Sequence, residues 1–317
     1  KLSLTARSAG TDMTGGSLTE SIVVECMRYL NKFVAMGADE ASVEPGMFYR
    51  DFDKETLKYG LILPSYTASR EICAVGGMAA NNSGGEKNLM YGKTERYIRK
   101  LKVVLDDGST DEFRALTMDE LKAKEKEKTR SGKIHKEMHK LIEKNYELLT
   151  QAKPNVSKNS SGYALWNVMD KEKGTFDLTK LLCGSQGTLA LNTEITFGLV
   201  KPNPHRRLVT IFLNDLSFLG ELVNHVLAHK PESFESYDDH TFNLAMRFFP
   251  QIARRLGGGL IKLGLSFIPE FWLVVTGGVP KLVLLAEFSD ETEEAAVKRA
   301  EEAAKDVREA FHVQVRV

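Results

Sequence analysis

The stretch Cys73-Ala74-Val75-Gly76-Gly77-Met78-Ala79-Ala80-Asn81-Asn82-Ser83-Gly84-Gly85, closed by Tyr91-Gly92, governs the interpretation of this chain. It holds two glycine pairs, small residues between them and no charged side chain. Glycine lets a backbone approach a ligand closely and adopt positive φ angles, while alanine leaves room for a ring system. Backbone N–H groups in such turns can also form a nest that binds an anion. The alternative is a glycine-rich surface loop.

Two more loops of similar composition favour the ligand over the surface loop. We call residues 7–17 the first loop, Arg7-Ser8-Ala9-Gly10-Thr11-Asp12-Met13-Thr14-Gly15-Gly16-Ser17. Residues 73–85 are the second loop, and residues 184–189 are the third loop, Gly184-Ser185-Gln186-Gly187-Thr188-Leu189. Each loop stands beside a strand-like run. Together they predict one extended ligand that is contacted from three sides.

Composition narrows the class of protein. The 317 residues suffice for two domains and a sizeable core. Basic and acidic residues number 43 each, so no overall field favours nucleic acid. Cys26, Cys73 and Cys183 are far apart, which argues against a disulfide framework, a zinc ribbon or an iron–sulfur cluster and fits a reducing compartment. Because the chain begins without Met and stops just after a strand-like run, we expect truncation at both ends.

Common nucleotide and metal motifs do not fit. The spacing from Gly10 to Gly15 is similar to that of a P-loop, but Gly16 stands where the phosphate-binding lysine should be. No GxGxxG sequence opens a helix, which disfavours a Rossmann dinucleotide site. The pairs His135/His139 and His225/His229 have the four-residue spacing of zinc ligands on a helix. Neither is an HExxH motif and no third ligand is evident, so we predict no metal site.

Hydrophobic patterning predicts the elements of the first 200 residues. The segment 22–26 is typical of a buried strand, and residues 49–59 show helical spacing that ends at Gly60. Residues 118–145 are rich in charge and predict a solvated helical insertion that is broken near Ser131-Gly132. Further strands are predicted at 33–35, 41–44, 101–105 and 191–197, with a hairpin turn at 106–110.

Beyond Pro202 and Pro204 the order strand, helix, helix, strand, helix suggests a second α+β domain. The strands are predicted at 208–213 and 282–288 and the helices at 217–228, 241–256 with a kink near Pro250, and 291–311. The apolar, glycine-rich segment from Gly257 to Pro280 is too interrupted for a transmembrane helix. It is interpreted as core or domain-interface packing, with a membrane-facing or partner-facing patch as the alternative.

Taken in order, the loops resemble the FAD-binding (PCMH-type) domain of the vanillyl-alcohol-oxidase superfamily. More narrowly, they resemble FAD-linked oxidases of the branch that holds D-lactate dehydrogenases, the glycolate oxidase flavoprotein subunit and D-2-hydroxyglutarate dehydrogenase. The resemblance rests on the first and second loops, Val43-Glu44-Pro45-Gly46, Lys158 to Tyr163, and Gly184 to Thr188. It covers about residues 1–200, with a fainter match to the cap domain from about residue 205.

The resemblance implies an α+β fold class, with a two-subdomain PCMH-type FAD-binding fold followed by part of an α+β cap domain. We therefore expect an FAD-binding domain at 1–203 and a partial substrate or cap domain at 204–317. The FAD-binding domain would divide into subdomains at about 1–63 and 64–203, the second carrying the charged insertion 118–145.

The resemblance also implies how FAD is held. Backbone N–H groups from Ser8 through Asp12 would wrap the pyrophosphate. Residues 68–74 and 81–84 would contact the diphosphate–ribityl region and the flavin ring edge, and residues 186–188 would close over the same cofactor. Many relatives have Glu at the position of Gln186. The implied cofactor-binding residues are Arg7, Ser8, Ala9, Gly10, Thr11, Asp12, Pro45, Gly46, Ser69, Cys73, Ala74, Gly76, Gly77, Asn81, Asn82, Gly84, Gln186, Gly187 and Thr188.

Covalent attachment of the flavin is not expected. Relatives that attach FAD through histidine place it in the first loop, where Thr11 or a neighbour stands here, and residues 1–100 hold no histidine. Cys73 is interpreted as a packing residue. The family's catalytic and metal-binding histidines lie in later segments, and no His-x-Gly-Asp-Gly-Asn-x-His sequence occurs here. The catalytic base is therefore expected beyond Val317, with its loss from this protein as the alternative, and Tyr163 is the single substrate-proximal candidate.

By resemblance, the activity is an FAD-dependent oxidation at a CH–OH group. A D-2-hydroxy acid of the lactate, glycolate or 2-hydroxyglutarate type would give hydride to flavin N5, and electrons would pass to an iron–sulfur subunit, a flavoprotein or a quinone. The alternatives are another alcohol, such as a sugar or an alkyl-glycerone phosphate, and a non-catalytic flavin-binding subunit of a larger complex. We expect a cytoplasmic protein with at most peripheral contact with the inner face of the membrane and no nucleic-acid partner.

Overall fold

The computed structural model describes residues 2–156, 159–248, 251 and 279–317. The chain divides into two compact units, Lys1–Pro202 and Asn203–Val317. Each unit has its own hydrophobic core: Phe52, Leu101 and Phe197 lie in the first, and Ile211 and Phe288 lie in the second. All three loops belong to the first unit.

The first unit mixes short helices with three small sheets. Its strands are β1 Leu4–Arg7, β2 Ile22–Glu25, β3 Phe33–Met36, β4 Glu40–Val43, β5 Ile98–Val104, β6 Thr110–Arg114, β7 Leu116–Thr117, β8 Met169–Asp170, β9 Thr175–Phe176 and β10 Leu191–Gly198. Its helices are α1 Tyr49–Leu57, α2 Val75–Ala80, α3 Asn88–Tyr91, α4 Met118–Lys124, α5 Arg130–Lys144, α6 Tyr146–Gln151 and α7 Thr179–Leu182. The second loop thus contains α2.

A five-stranded antiparallel sheet of order β3-β4-β10-β5-β6 forms the centre of this unit. Strand β10 pairs with β4 on one side and β5 on the other, so that Ile195 lies opposite both Val43 and Leu101. All three side chains are fully buried. The sheet therefore joins strands from both sides of residue 63, where the sequence predicted a boundary between subdomains.

Strand β2 occupies the predicted segment, but the prediction that it is buried is wrong. Ile22 is 51% exposed and Val23 is 41% exposed. The strand pairs in parallel with β1 in a two-stranded sheet, and within the described residues no third strand extends that sheet. Its run of apolar, β-branched side chains is typical of a buried strand. Such a pattern shows that a strand is apolar, but it does not show whether another layer of the protein covers that strand.

The charged segment after β7 is helical, but its break was predicted in the wrong place. The chain leaves α4 at Glu125, and α5 begins at Arg130 with Thr129 accepting a hydrogen bond from the Gly132 N–H at 3.0 Å. Ser131 and His135 are buried, so this face packs onto the core and is not a solvated insertion. The first turn of α5 requires glycine at position 132, because a β-carbon there would be 2.5 Å from the Glu127 carbonyl oxygen.

The second unit is a four-stranded antiparallel sheet of order β12-β13-β11-β14 with helices packed on it. Its elements are β11 His205–Leu213, α8 Leu219–Ala228, β12 Ser233–Asp238, α9 Asp239–Arg247, β13 Leu282–Asp290, α10 Glu293–Phe311 and β14 Gln314–Arg316. Helix α9 confirms the start of the predicted helix at 241–256. The predicted kink at Pro250 and almost all of the segment 257–280 lie outside the described residues.

Candidate functional site

Hydrogen bonds bring the three loops together around α2. The carbonyl oxygen of Pro45 accepts one bond from Ser8 Oγ at 2.9 Å and a second from the Gly76 N–H at 2.8 Å. At the other end of α2, the N–H of Gly184 donates to the Ala79 carbonyl at 3.0 Å, and the N–H of Gln186 donates to the Ala80 carbonyl at 2.9 Å. Segments that are far apart in sequence therefore form one continuous surface.

The first loop presents hydrogen-bond donors that the protein itself does not use. Within the described chain, the backbone N–H groups of Ser8, Ala9, Gly10 and Thr11 donate to no carbonyl and no side chain. Gly10 has φ +65°, and the Arg7 guanidinium lies beside it, with Nη2 2.9 Å from the place of a β-carbon on Gly10. Consecutive free N–H groups next to a cation fit an anionic group such as a diphosphate.

Asp12 shapes the same loop with its side chain. Its Oδ2 accepts a hydrogen bond from the Gly16 N–H at 2.8 Å and another from Thr14 Oγ1 at 2.7 Å. The Gly16 bond, with that of Thr14, holds the pKa of this carboxyl below its usual value. The carboxylate is thus occupied inside the loop, and a contact with an anionic ligand would come from the backbone of residues 8–12.

The two adjacent glycines of α2 have different surroundings. A β-carbon on Gly76 would lie 2.4 Å from Pro45 Cβ and 2.6 Å from the Pro45 carbonyl oxygen, so this glycine is required by the fold. A β-carbon on Gly77 would meet Ser8 Cβ at 3.6 Å, an ordinary contact. Gly77 is also partly exposed. The fold therefore tolerates a side chain at Gly77, and the open face is available to a ligand.

Several predicted site residues hold the scaffold with their side chains. Cys73 and Ala74 are buried at 3% and 1% exposure, and a β-carbon on Gly46 would lie 2.3 Å from the Cys26 carbonyl oxygen. Ser69 Oγ bonds Thr67 Oγ1 at 2.8 Å. Cys73 and Ala74 belong to the second loop, and Gly46 and Ser69 lie outside the three loops. A contact between them and a ligand would pass through the backbone.

Asn82 and Gly84 are also held internally. The Asn82 side chain donates from Nδ2 to Glu95 Oε2 at 2.9 Å and accepts from the Glu95 N–H at 3.0 Å. This pairing fixes Asn82 at φ 47°, a left-handed conformation. A β-carbon on Gly84 would lie 2.5 Å from Asn88 Oδ1. Asn81 is exposed, and its Nδ2 donates to Ser83 Oγ at 3.1 Å.

The third loop is exposed and adopts left-handed backbone conformations. Gln186 has φ +53° and Gly187 has φ +77°, and both residues face solvent. The Tyr163 hydroxyl and Thr188 Oγ1 are hydrogen-bonded at 2.7 Å, and Tyr163 is 44% exposed. The structure therefore places Tyr163 on the third loop, while Lys158 lies outside the described residues.

A cavity of about 460 Å³ adjoins the loops, with Asn81, Asn82 and Gly184 in its wall. Its basic lining residues outnumber its acidic ones, which favours an anion. The basic residues are Lys93, Arg96, Lys153, Lys173 and Lys180, and the acidic ones are Glu95, Asp170 and Asp177.

Sequence reasoning did not identify these charged residues as part of a site. Lys93 is 8% exposed, and its Nζ donates to the Asn159 carbonyl at 2.6 Å and to Ser160 Oγ at 2.5 Å. Lys180 Nζ donates to the Glu95 carbonyl at 2.5 Å. The charged residues directly after Gly92 were the one feature of the sequence that could have indicated this part of the site. A lysine such as Lys93 is rarely buried unless a specific partner holds it.

Comparisons with known proteins agree with this geometry. Residues 1–114 match a family model described as FAD binding domain. The chain is 26% identical over 246 residues to a D-2-hydroxyglutarate dehydrogenase of Escherichia coli, covering 77% of this chain and 24% of that protein. It is 27% identical to glycolate oxidase subunit GlcD of Bacillus subtilis, covering 76% of this chain and 41% of that one.

A D-lactate dehydrogenase of Archaeoglobus fulgidus is 25% identical and matches 92% of this chain and 50% of its own length. The chain thus spans about a quarter to a half of the length of these relatives. A solved alkyldihydroxyacetonephosphate synthase superimposes with a TM-score of 0.63 at 15% identity, over 96% of this chain and 46% of that one. This likeness shows the fold, and it confirms the predicted α+β class. Among the described helices, none combines the length and the apolar character needed to cross a bilayer.

Proposed function

We propose that the chain holds FAD as an FAD-linked oxidase does and that it is the flavin-binding part of an oxidoreductase that oxidises a D-2-hydroxy acid. The observation that carries the proposal is the set of first-loop N–H groups that donate to no described atom, in a loop that places Arg7 beside Gly10 and Ser8 3.6 Å from the position of a Gly77 β-carbon. The relatives named as acting on D-2-hydroxyglutarate, glycolate and D-lactate supply the substrate class.

FAD fits the residues that are present. The N–H groups from Ser8 to Thr11 and the Arg7 guanidinium would hold the diphosphate, a doubly charged group that FMN lacks. Gly77 would admit the cofactor against the backbone of α2, and the exposed third loop would cover it from the other side. The thiols of Cys73 and Cys183 are buried at 3% and 5% exposure, and no histidine occurs before His135, which supports non-covalent binding.

The cavity beside Asn81 and Gly184 is proposed to take an anionic part of the ligands. Lys93 and Lys180 are fixed by carbonyl groups, so their charges are held in place before a ligand arrives. Arg96 also lines this wall, and within the described residues it makes no ion pair. The positive charges of Lys93, Lys180 and Arg96 together favour a carboxylate or a phosphate as the ligand group.

FAD, when bound, supplies a two-electron acceptor for the hydride that leaves the α-carbon of the hydroxy acid. The chain's own residues would orient the cofactor through the first-loop N–H groups that hold its diphosphate. Tyr163, fixed by Thr188, is proposed to lie near the substrate. The proton of the substrate hydroxyl needs a base, which we do not assign to a described residue.

Electrons are proposed to leave the reduced flavin for an iron–sulfur protein, a second flavoprotein or a quinone. The relative that is a glycolate oxidase subunit is consistent with such an assembly. We place the protein in the cytoplasm with at most peripheral membrane contact.

The cofactor is tested by heating the purified protein and running the released compound on a reversed-phase column against FAD and FMN. We expect FAD in a ratio near one per chain and release without proteolysis. FMN, or no flavin after reconstitution with excess FAD, would contradict the cofactor proposal.

The reaction is tested by anaerobic addition of D-2-hydroxyglutarate, D-lactate and glycolate to the intact flavin-loaded protein. Bleaching of the flavin absorbance by a D-2-hydroxy acid, and not by its L enantiomer where one exists, is expected. A loaded flavin that none of these acids bleaches, but that an alkyl-glycerone phosphate or a sugar bleaches, would assign another alcohol. A flavin reduced by dithionite and by none of these alcohols would indicate a non-catalytic subunit.

A further inference from the structure

Two histidines and one aspartate converge between helices of the second unit. His225 lies in the last turn of α8, His229 is the C-cap residue of that helix four positions later, and Asp306 lies on α10. Nε2 of His225 is 2.8 Å from Asp306 Oδ2, and Nε2 of His229 is 2.7 Å from the same oxygen. One ligand atom from each of the three side chains lies within 4.8 Å of the others, and no ion is present. Sequence spacing does not reveal the third residue, because Asp306 stands 77 positions after His229.

We propose that His225, His229 and Asp306 bind a divalent transition-metal ion of the zinc class. Two imidazole nitrogens and one carboxylate oxygen are the ligand set that zinc and its neighbours in the first transition row accept. The spacing of four residues places both rings on one face of α8, as in helical zinc sites. The ion would connect α8 to α10.

The backbones that carry these ligands are fixed by the core and not by the ion. On α8, Leu222 and Val226 are fully buried, one before His225 and one directly after it. On α10, Ala303, Ala304 and Val307 flank Asp306 and are buried in the same hydrophobic cluster. The side chains are therefore presented before a metal binds, which reduces the entropy lost on binding.

Hydrogen bonding satisfies only part of this cluster. Asp306 Oδ2 accepts a hydrogen bond from His229 Nε2, but His225 Nε2 is buried and lacks hydrogen-bond geometry to any described atom, although Oδ2 is 2.8 Å away. A buried nitrogen without a hydrogen bond loses its solvation without compensation. A metal ion would take the lone pairs of both nitrogens at once.

The spacing and exposure suit an open three-ligand site. In a tetrahedral zinc site with bonds of about 2.0–2.1 Å, the ligand atoms lie ~3.3 Å apart. The histidine nitrogens and the Asp306 oxygen would therefore need to move apart by only ~0.5 Å to admit the ion. The side chains of His225, His229 and Asp306 are 35%, 26% and 46% exposed, which leaves a path for the ion and a position for water.

The test uses the whole chain after chelation and dialysis. Co²⁺ is titrated while the visible absorbance is followed, Zn²⁺ is then added to displace it, and Zn²⁺ binding is measured by calorimetry. We expect one ion per chain, a Co²⁺ band that Zn²⁺ removes, and a rise in melting temperature with Zn²⁺. His229→Gln and Asp306→Asn should each weaken Zn²⁺ binding by about tenfold or more.

His240→Gln is the matched control, because His240 is 90% exposed and lies outside the cluster. Wild-type affinity in this control, together with the losses in both cluster variants, would establish the site. Circular dichroism checks that each variant folds. If one variant does not fold, the Co²⁺ spectrum of the wild type still tests whether the protein binds a metal ion. The absence of stoichiometric binding to the wild type, or equal losses in the control and in the cluster variants, would overturn the proposal.

Discussion

Gly77 faces Ser8 across a gap that admits a methyl group: a β-carbon on Gly77 would lie 3.6 Å from Ser8 Cβ and 3.9 Å from Ser8 Oγ. The next residue back, Gly76, has no such room, because its β-carbon would lie 2.4 Å from Pro45 Cβ. Two neighbouring glycines are thus retained for different reasons. One allows the chain to pack on Pro45, and the other leaves space above the first loop.

Alanine at these two positions should separate folding from cofactor binding. Gly77→Ala is expected to lose FAD affinity, because the methyl group enters the space proposed for the cofactor. Its apo-protein melting temperature should stay the same or rise, since alanine favours a helix over glycine by about 0.5–1 kcal/mol. Gly76→Ala should lower the apo melting temperature, because overpacking costs about 1–3 kcal/mol. The measurements are the FAD dissociation constant and the thermal unfolding of each apo-protein.

The opposite pattern would assign Gly77 to the turn and not to the ligand. A Gly77→Ala protein that melts earlier and still binds FAD like the wild type would show that the open face is not the cofactor site.

Arg7 should contribute charge to the same site. Its guanidinium lies beside Gly10, and within the described residues it forms no ion pair. Arg7→Gln should therefore weaken FAD binding by about tenfold, because a charge-assisted bond to a phosphate contributes about 1.5–3 kcal/mol. The loss should shrink as ionic strength rises. The measurement is FAD affinity at low and high salt.

Arg28→Gln serves as the control, since Arg28 is exposed and lies over the ring of Tyr29 at 5.2 Å. Equal losses for both arginines would indicate a general charge effect, and no loss at Arg7 would remove it from the site.

Local patterns in the sequence were sufficient for several elements of the fold, but they missed β12, which lies between α8 and α9 where two consecutive helices were predicted. The alternating run at 191–197 became β10, and the helical run that ends at Gly60 became α1, where Gly60 has φ +71°. Asp106-Asp107-Gly108 formed the predicted turn, with Gly108 at φ +82°. These features depend on residues within one turn or one strand, so the neighbouring sequence determines them.

The parts that could not be predicted depend on distant partners. Burial of β2 needs a covering layer, which its own sequence does not encode. The different roles of Gly76 and Gly77 depend on Pro45 and Ser8, which stand more than 30 residues earlier. The pairing of Asn82 with Glu95 and the meeting of His229 with Asp306 likewise arise only when separate elements pack.

His135 should make stability depend on pH, in place of the metal role that its spacing with His139 suggested. It is 2% exposed, stacks on Phe113 with ring centroids 5.2 Å apart, and its Nδ1 is 2.9 Å from the Ser131 carbonyl. Burial is the main cause that lowers its pKa below 6.5; Lys124 lowers it further, while the Ser131 bond, Asp111 and Glu127 raise it. The unfolded chain therefore takes up a proton at His135 more readily than the folded chain.

Stability should consequently fall as the pH drops below about 6.5, because the unfolded state binds more protons there. We expect the free energy of unfolding to decrease more from about pH 7.5 to about pH 5 in the wild type than in His135→Leu. Urea unfolding of the apo-proteins across this range provides the comparison, with His240→Gln as the exposed control. Parallel curves for wild type and His135→Leu would refute the assignment.

Cys183 should make the stability of the protein fall as the pH rises in the alkaline range, whereas His135 should make it fall as the pH drops. Its side chain is 5% exposed, and burial, assisted by Glu95, raises the pKa of the thiol to about 12, while Lys180 and Lys93 act against this shift. The folded state therefore keeps this proton after the unfolded state has lost it. The stability that the thiol contributes is fully present below about pH 9 and is lost as the pH rises toward about 12.

Between about pH 9 and pH 10, the free energy of unfolding should fall by about 1 kcal/mol more in the wild type than in Cys183→Ser and Cys183→Ala. In the same range, iodoacetamide should label Cys183 only after unfolding, because the thiol is both buried and protonated. Rapid labelling of native Cys183 at pH 9, identified by peptide mapping, would show that the thiol ionises normally.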